Sequence, residues 1–185
     1  MQLLEEKSAP EISADEILSL SGISKGSMYH HFHDLDELLE TAQVARFAHW
    51  VDVSIKNMTQ LIRATKTKNE LYEALRIVTE NTQSDKRRSS RIERASALSR
   101  RNASPRYLEL IGKESDRLMD GLEDLARESQ EKGFFSKKHN PRAVALMVQA
   151  YTLGKIVDDY SHNQVSESNW NALIMDVIRK VFMED

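Results

Sequence analysis

Apolar residues recur every three to four positions along most of the chain, and no run alternates apolar and polar residues between turn signals. That pattern predicts an all-α protein. In ISADEI, Ser13 is followed three residues later by Glu16, a capping box, with Ile12 and Ile17 at the spacing of a hydrophobic staple. A helix should therefore start at Ser13, and Gly22 should end it. After a very short turn Ser24 can cap a second helix, with Ile23 and Met28 again at staple spacing. Asp34 with Glu37 opens a third, DLDELLETAQVARFAHW, striped by Leu35, Leu38, Leu39, Ala42 and Ala45, with Phe47 and Trp50 near its end.

Beyond Trp50 the helices lengthen. IKNMTQLIRA continues or follows the previous one, and NELYEALRIVTENT carries Leu71, Leu75 and Val78 on one stripe. SPRYLELIGKESDRLMDGLEDLARESQEKG has Ser104 as cap, Pro105 at the first helical position, Leu108, Ile111, Leu118, Leu122 and Leu125 as its stripe, and Gly133 as its stop. In NPRAVALMVQAYTLGKIVDDY, capped by Asn140 ahead of Pro141, the apolar residues Val144, Leu146, Met147, Val148, Tyr151, Leu153, Ile156 and Val157 go nearly all the way round. A helix apolar on every side must be covered on every side, and one domain core covers only part. A second subunit is the natural cover. The last helix, ESNWNALIMDVIRKVF, has its own regular apolar spacing, and Gly154 would admit a neighbouring backbone. A homodimer is expected, with Val148, Gly154, Trp170, Leu173, Ile174, Val177, Ile178 and Val181 at its interface. The short helices of residues 1–46 read as one module and residues 47–185 as a larger helical domain.

Composition removes several function classes. With no cysteine there is no disulfide and no thiolate metal site, so cytoplasm is the default compartment. No apolar run approaches the roughly 20 residues of a membrane span, and MQLLEEK is unlike a signal peptide, so a soluble chain that stays inside the cell is expected. There is no Gly-rich phosphate loop, nucleophile elbow or HExxH, so no enzyme and no cofactor are expected. His30 with Asp34, and His33 with Glu37, stand four apart as helical metal ligands would, but the helix break before Asp34 spoils the spacing. Asp158, Asp159 and His162 read as a solvated helix end, so no metal is expected either.

Charge is uneven. The net is −3, yet residues 1–46 hold three basic against nine acidic side chains, a net of −6, and residues 86–106 hold eight basic and one acidic, Glu93. That basic segment could bind nucleic acid, form a solvated face, or turn Arg91 or Arg94 inward as counter-ion for an anionic ligand. An effector pocket for a mainly apolar small molecule is expected in the larger domain, among Met58, Leu75, Arg94, Tyr107, Met119, Met147 and Tyr151, although tyrosines and methionines at such positions also serve as plain core.

The chemistry concentrates in SGISKGSMYHHF. On a helix starting at Ser24, Met28 and Phe32 share a face with Ile23, which is expected to be core. Gly26, Tyr29, His30 and His33 fall on the opposite side, with Ser27 at its edge. A lysine in the first turn, a hydroxyl, a phenol and imidazoles can donate to phosphates or read base edges, and Gly26 lets a backbone N–H near the positive helix end approach an anion.

Ile17, Gly22, Ile23, Ser24, Lys25, Gly26, Ser27, Met28, Tyr29, His30, His31, Phe32, Leu38 and Leu39 together resemble the DNA-binding region of TetR-type (tetracycline-repressor-like) transcription regulators. The resemblance implies a helix-turn-helix module on a larger domain that binds a small-molecule effector and dimerises. It implies a palindromic double-stranded DNA operator, with Ser27, Tyr29 and His30 on the DNA and Lys25 and the Gly26 backbone beside them, and a repressor released by its effector. Leu35 stands where the family usually has a phosphate-binding lysine, and only MQLLEEK precedes a break at Ser8 to Pro10, so a shortened first helix is expected. These departures and the −6 charge leave an alternative of another class: a dimeric ligand- or protein-binding module with a degenerate DNA-binding domain.

Overall fold

The computed structural model describes residues 3, 7, 11–100 and 103–184, and every regular element among them is helical. The expected break at Ser8 to Pro10 and most of the segment before it lie outside the described residues. Helix α1 is Ala14–Ser21 and α2 is Lys25–His31. Ser13 accepts from the Glu16 N–H while Glu16 accepts from the Ser13 N–H at 3.0 Å, the reciprocal capping box. Gly22, at φ 68°, ends α1 in the left-handed region where a side chain would be strained. Ser24 caps α2, and Asp34 caps α3, Leu35–Ala64, by accepting from Glu37 N–H at 2.8 Å.

The thirty residues of α3 form one uninterrupted helix, about 45 Å long. The boundary expected after residue 46 falls inside it, so module and body are joined by continuous helix and not by a linker. The body continues with α4 (Lys68–Gln83), a short 3-10 turn (Asp85–Arg87), α5 (Arg88–Leu98), α6 (Pro105–Glu131), α7 (Pro141–Gly154), the single turn α8 (Ile156–Asp159) and α9 (Glu167–Val177), which widens to π-helical winding over Ile178–Met183. Helix α6 lies along α3, and Gly121 permits it: a Cβ there would stand 3.0 Å from the Ile55 side chain.

Three apolar clusters hold the chain together. The largest gathers Ile62, Leu71, Leu75, Leu125, Val144, Ile174, Ile178 and Phe182 from α3, α4, α6, α7 and the last helix. A second joins Phe47 and Val51 of α3 to Ala97, Tyr107, Ile111 and Leu118. A small third, Ile12 and Leu39 with Leu3, Ile17, Leu35 and Leu38, closes the module.

Several expectations need correction. Ile174 and Ile178 are buried in the subunit's own core and cannot form an interface. The π-helical winding after Val177 turns Ile178, Phe182 and Met183 inward, while Leu173 (57% exposed) and Val181 stay outside. Trp170 is half-buried, and its indole donates to Gln83 Oε1 at 2.9 Å. Val148 faces the interior cavity described below; Gly154, in contrast, is exposed with open space around it, which leaves room for a neighbouring backbone. Ile23 is 43% exposed and Leu108 57%, the first lying in the turn before its helix and the second beside buried Tyr107 on the outward side of α6. On α7 and α8, Leu146, Met147, Val157 and Tyr160 remain uncovered, so the apolar-all-round reading of that region describes one buried side and one open side.

The joint between α4 and α5 is clamped by charge. Arg91, fully buried, makes a bidentate pair with Asp159 (2.8 and 2.7 Å) and donates to the carbonyls of Ser84 and Thr82. Buried Lys155 donates to the Gln83 carbonyl at 2.7 Å and pairs with Asp85 at 3.1 Å. The Arg91 guanidinium holds the Asp159 carboxyl below the usual aspartate range. The unfolded chain therefore takes up a proton first, and this contribution to stability is complete above that range and lost as pH falls through it. Arg91→Met or Asp159→Leu alone should each cost about 3–5 kcal/mol in chemical denaturation, because each leaves an uncompensated buried charge. The double substitution should recover most of that loss.

Candidate nucleic-acid interface and internal cavity

Helix α2 is held by its caps and by Met28, its one buried residue. Everything else on it faces solvent: Lys25, Gly26, Ser27, Tyr29, His30 and His31 are all exposed, with Tyr29 41% so. The His30 and His31 rings meet edge to face at 5.3 Å, so the pair presents a fixed aromatic step. Ser24 accepts from the Ser27 N–H, which leaves the Ser27 hydroxyl at the surface. Gly26 has no internal reason to be glycine: a Cβ there would meet only Ser24 Oγ, at 3.9 Å. The outer face of α2 is open at this position.

The acidic excess of the module is met from the body. Arg106 pairs with Glu37; Arg100 approaches Asp36 at 3.7 Å and Glu40 at 3.6 Å and donates to Gln43 Oε1 at 2.8 Å. Ser104 N–H donates to Glu40 at 3.0 Å, and Arg46 of α3 pairs with Glu93 of α5 at 2.6 Å. So the basic segment is not one surface: Arg91 is buried, Arg94 turns inward, and Arg100 and Arg106 hold the start of α3. These contacts lie on the far side of the sequence from α2 and could not be placed from one-dimensional spacing.

Within the body lies a cavity of about 370 Å³ between α3, α4, α5, α6, α7 and the last helix, in the size range of small-molecule sites. Met58, Leu75, Arg94 and Tyr151 of the expected pocket residues line it. Tyr107, Met119 and Met147 do not: Tyr107 is buried in the second cluster, donating to the Ala97 carbonyl at 2.8 Å, Met147 is largely outside on α7, and Met119 sits beside Leu118 on α6, turned away from the lining. Sequence reasoning missed Trp50, Asn81, Arg87 and Thr152. Trp50 read as a helix-end aromatic, and polar Asn81 and Thr152 gave no sign of pointing inward. Burial raises the Tyr151 phenol pKa, so it stays neutral. Burial, and secondarily the charge of Arg91, lower the Arg94 pKa to about 10. Arg94 remains a cation at neutral pH.

No family model and no curated protein matches the chain. Solved structures do. A transcriptional regulator from Saccharomonospora viridis in complex with choline superposes with a TM-score of 0.71 at 14% identity, over 99% of this chain and 93% of that one. A protein of Mesorhizobium loti assigned to the TetR-family transcriptional regulators gives 0.70 at 15%, over 99% and 92%. The FadR regulator of Bacillus subtilis in complex with stearoyl-CoA gives 0.64 at 13%, over 97% and 93%. The fold is thus the one these regulators share, along the whole length of the chain.

Gly26 stands in the first turn of α2, where glycine costs less than the roughly 0.5–1 kcal/mol of a mid-helix position, so Gly26→Ala should stabilise the module by at most that amount. Hydrogen exchange over residues 12–40 checks this.

Proposed function

We propose that the protein is a DNA-binding transcriptional regulator of the TetR type, acting as a homodimer and as a repressor that a small-molecule effector releases from DNA. The observation that carries this reading is α2. It is a capped helix after a tight glycine turn, whose solvent face is a lysine, a gap at Gly26, a hydroxyl, a phenol and two imidazoles. Those groups fit a major groove, Lys25, Tyr29 and His30 setting register on phosphates and Ser27 reading a base edge. The binding of choline and stearoyl-CoA by proteins of the same fold supports the effector half of the proposal.

The route from effector to DNA follows the helices. The cavity is walled by α3 residues from Trp50 to Ile62 and by Ser90 and Arg94 of α5, while Arg46–Glu93 and Arg100–Gln43 tie α5 to the module end of α3. A ligand that moves α5 against α3 changes the angle of α2 and hence the spacing of two reading heads, a coupling between sites. The second subunit would cover exposed apolar residues of α7 to α9, Leu146, Met147, Val157, Leu173 and Val181. Leu173→Asp should then yield monomers in sedimentation, whereas Ile174→Asp, whose residue is core, should unfold the body.

The degenerate-module reading draws its support from Leu35 and from the −6 charge of residues 1–46. DNA selection with the purified protein separates the two. Enrichment of a palindrome with half-sites about 34–36 Å apart supports the regulator, and no enrichment at low salt supports the alternative. With few basic residues on the reading face, the salt dependence should be shallow, well short of the roughly −10 log–log slope of a strongly basic repressor. Tyr29→Ala should weaken all sequences alike, Ser27→Ala should change preference at one base position, and Gly26→Ala should weaken binding while stabilising the fold.

A further inference from the structure

From the charge and polarity of the cavity, we infer that its ligand is an amphipathic anion, an apolar chain or ring system ending in a carboxylate or similar acid group, held head-first against Arg94. The inference rests on the reading of the cavity as an effector site and narrows it to a chemical class.

The cavity is polarised along its length. On α4 its wall runs from Leu71 and Leu75 to Asn81 and Thr82, a rise on the order of 16 Å. On α7 it runs from Val144 and Ala145 to Gln149 and Thr152. The polar ends of both walls lie toward α5 and the turn before it, where Arg94 of α5 and the exposed Arg87 of the turn are the charged lining groups. No aspartate or glutamate lines the cavity among the described residues.

Arg94 is positioned but not neutralised. Its guanidinium lies 4.6 Å from the centroid of the Trp50 ring, and its N–H groups reach only the carbonyls of Ser90 (3.3 Å) and Thr152 (3.5 Å). No carboxylate stands within ion-pair distance of it among the described residues. The buried carboxylate Asp159 spends both oxygens on Arg91, one turn away from Arg94 on α5. Five guanidinium donors with two long carbonyl contacts leave donors unspent on a half-buried cation that faces the cavity without a counter-ion. An acid group entering between Arg94 and Arg87 supplies the missing charge in a planar, two-point geometry that arginine favours. A cationic ligand would meet repulsion at the same place.

The test uses the full-length protein and follows ligand-induced changes in tryptophan emission, to which Trp50 in the cavity wall and Trp170 both contribute, during titration with decanoate, 1-decanol and decyltrimethylammonium, which share a chain and differ in head-group charge. Decanoate should bind about ten-fold tighter than decanol, the effect of one charge-assisted hydrogen-bonded contact, and the cation weakest. Arg94→Gln, which keeps donors and removes the charge, should bring decanoate and decanol to equal affinity. The variant should also melt no lower than the wild type without ligand. Equal affinity of all three in the wild type, or a preference that survives Arg94→Gln, overturns the anionic assignment and leaves the effector site standing. A large loss of stability in Arg94→Gln makes the arginine structural and overturns it too. Failure of every probe to bind overturns both the assignment and the effector reading.

Discussion

Arg91 and Arg94 lie one turn apart on α5 and meet opposite fates, and much of the body follows from that difference. Arg91 turns toward α8 and consumes Asp159, binding the end of α4, the start of α5 and the turn after α7 into one joint. A buried pair of this kind is a poor source of net stability, since desolvation offsets most of its attraction, but it is a strict specifier of geometry. It fixes the rotation of α5. The next basic residue on the same face, Arg94, points into the cavity.

The other constraint is the continuity of α3. A single helix carries Leu35, Leu38 and Leu39 of the module core and Met58, Leu61 and Ile62 of the cavity wall, so the two parts cannot tilt independently without bending thirty residues of helix. Arg100 and Arg106 tighten the arrangement by meeting Asp36, Glu37 and Glu40. They meet three of the nine acidic residues of the module, and α2 itself carries none.

Local rules made the short helices legible. Capping boxes, a left-handed glycine and Pro at the first turn place helix ends to within a residue at Ser13, Gly22, Ser24, Asp34, Ser104 and Asn140, because each end is decided by hydrogen bonds only a few residues apart. What depends on long-range contact was not legible. Tyr107, Met119 and Met147 share their residue types with Met58 and Tyr151, and only the packing of α6 against α3 separates core from cavity. Likewise Ile174 and Leu173 are neighbours in a uniformly apolar helix, and which one faces inward depends on how that helix docks against α4. The basic segment 86–106 had three candidate readings; the buried counter-ion that sorts them, Asp159, is 68 residues from Arg91 in sequence.

The central claim is that the cavity and the reading helices are mechanically one system in a dimer. The chain has no cysteine, so His31→Cys at an exposed position of α2 accepts a single spin label per subunit. Pulsed dipolar spectroscopy then reads the distance between the two helices directly. The expected result is a distribution centred near 34–36 Å on the selected DNA that shifts or broadens when decanoate fills the cavity. No inter-label distance, or one that stays unchanged with ligand bound, would contradict it.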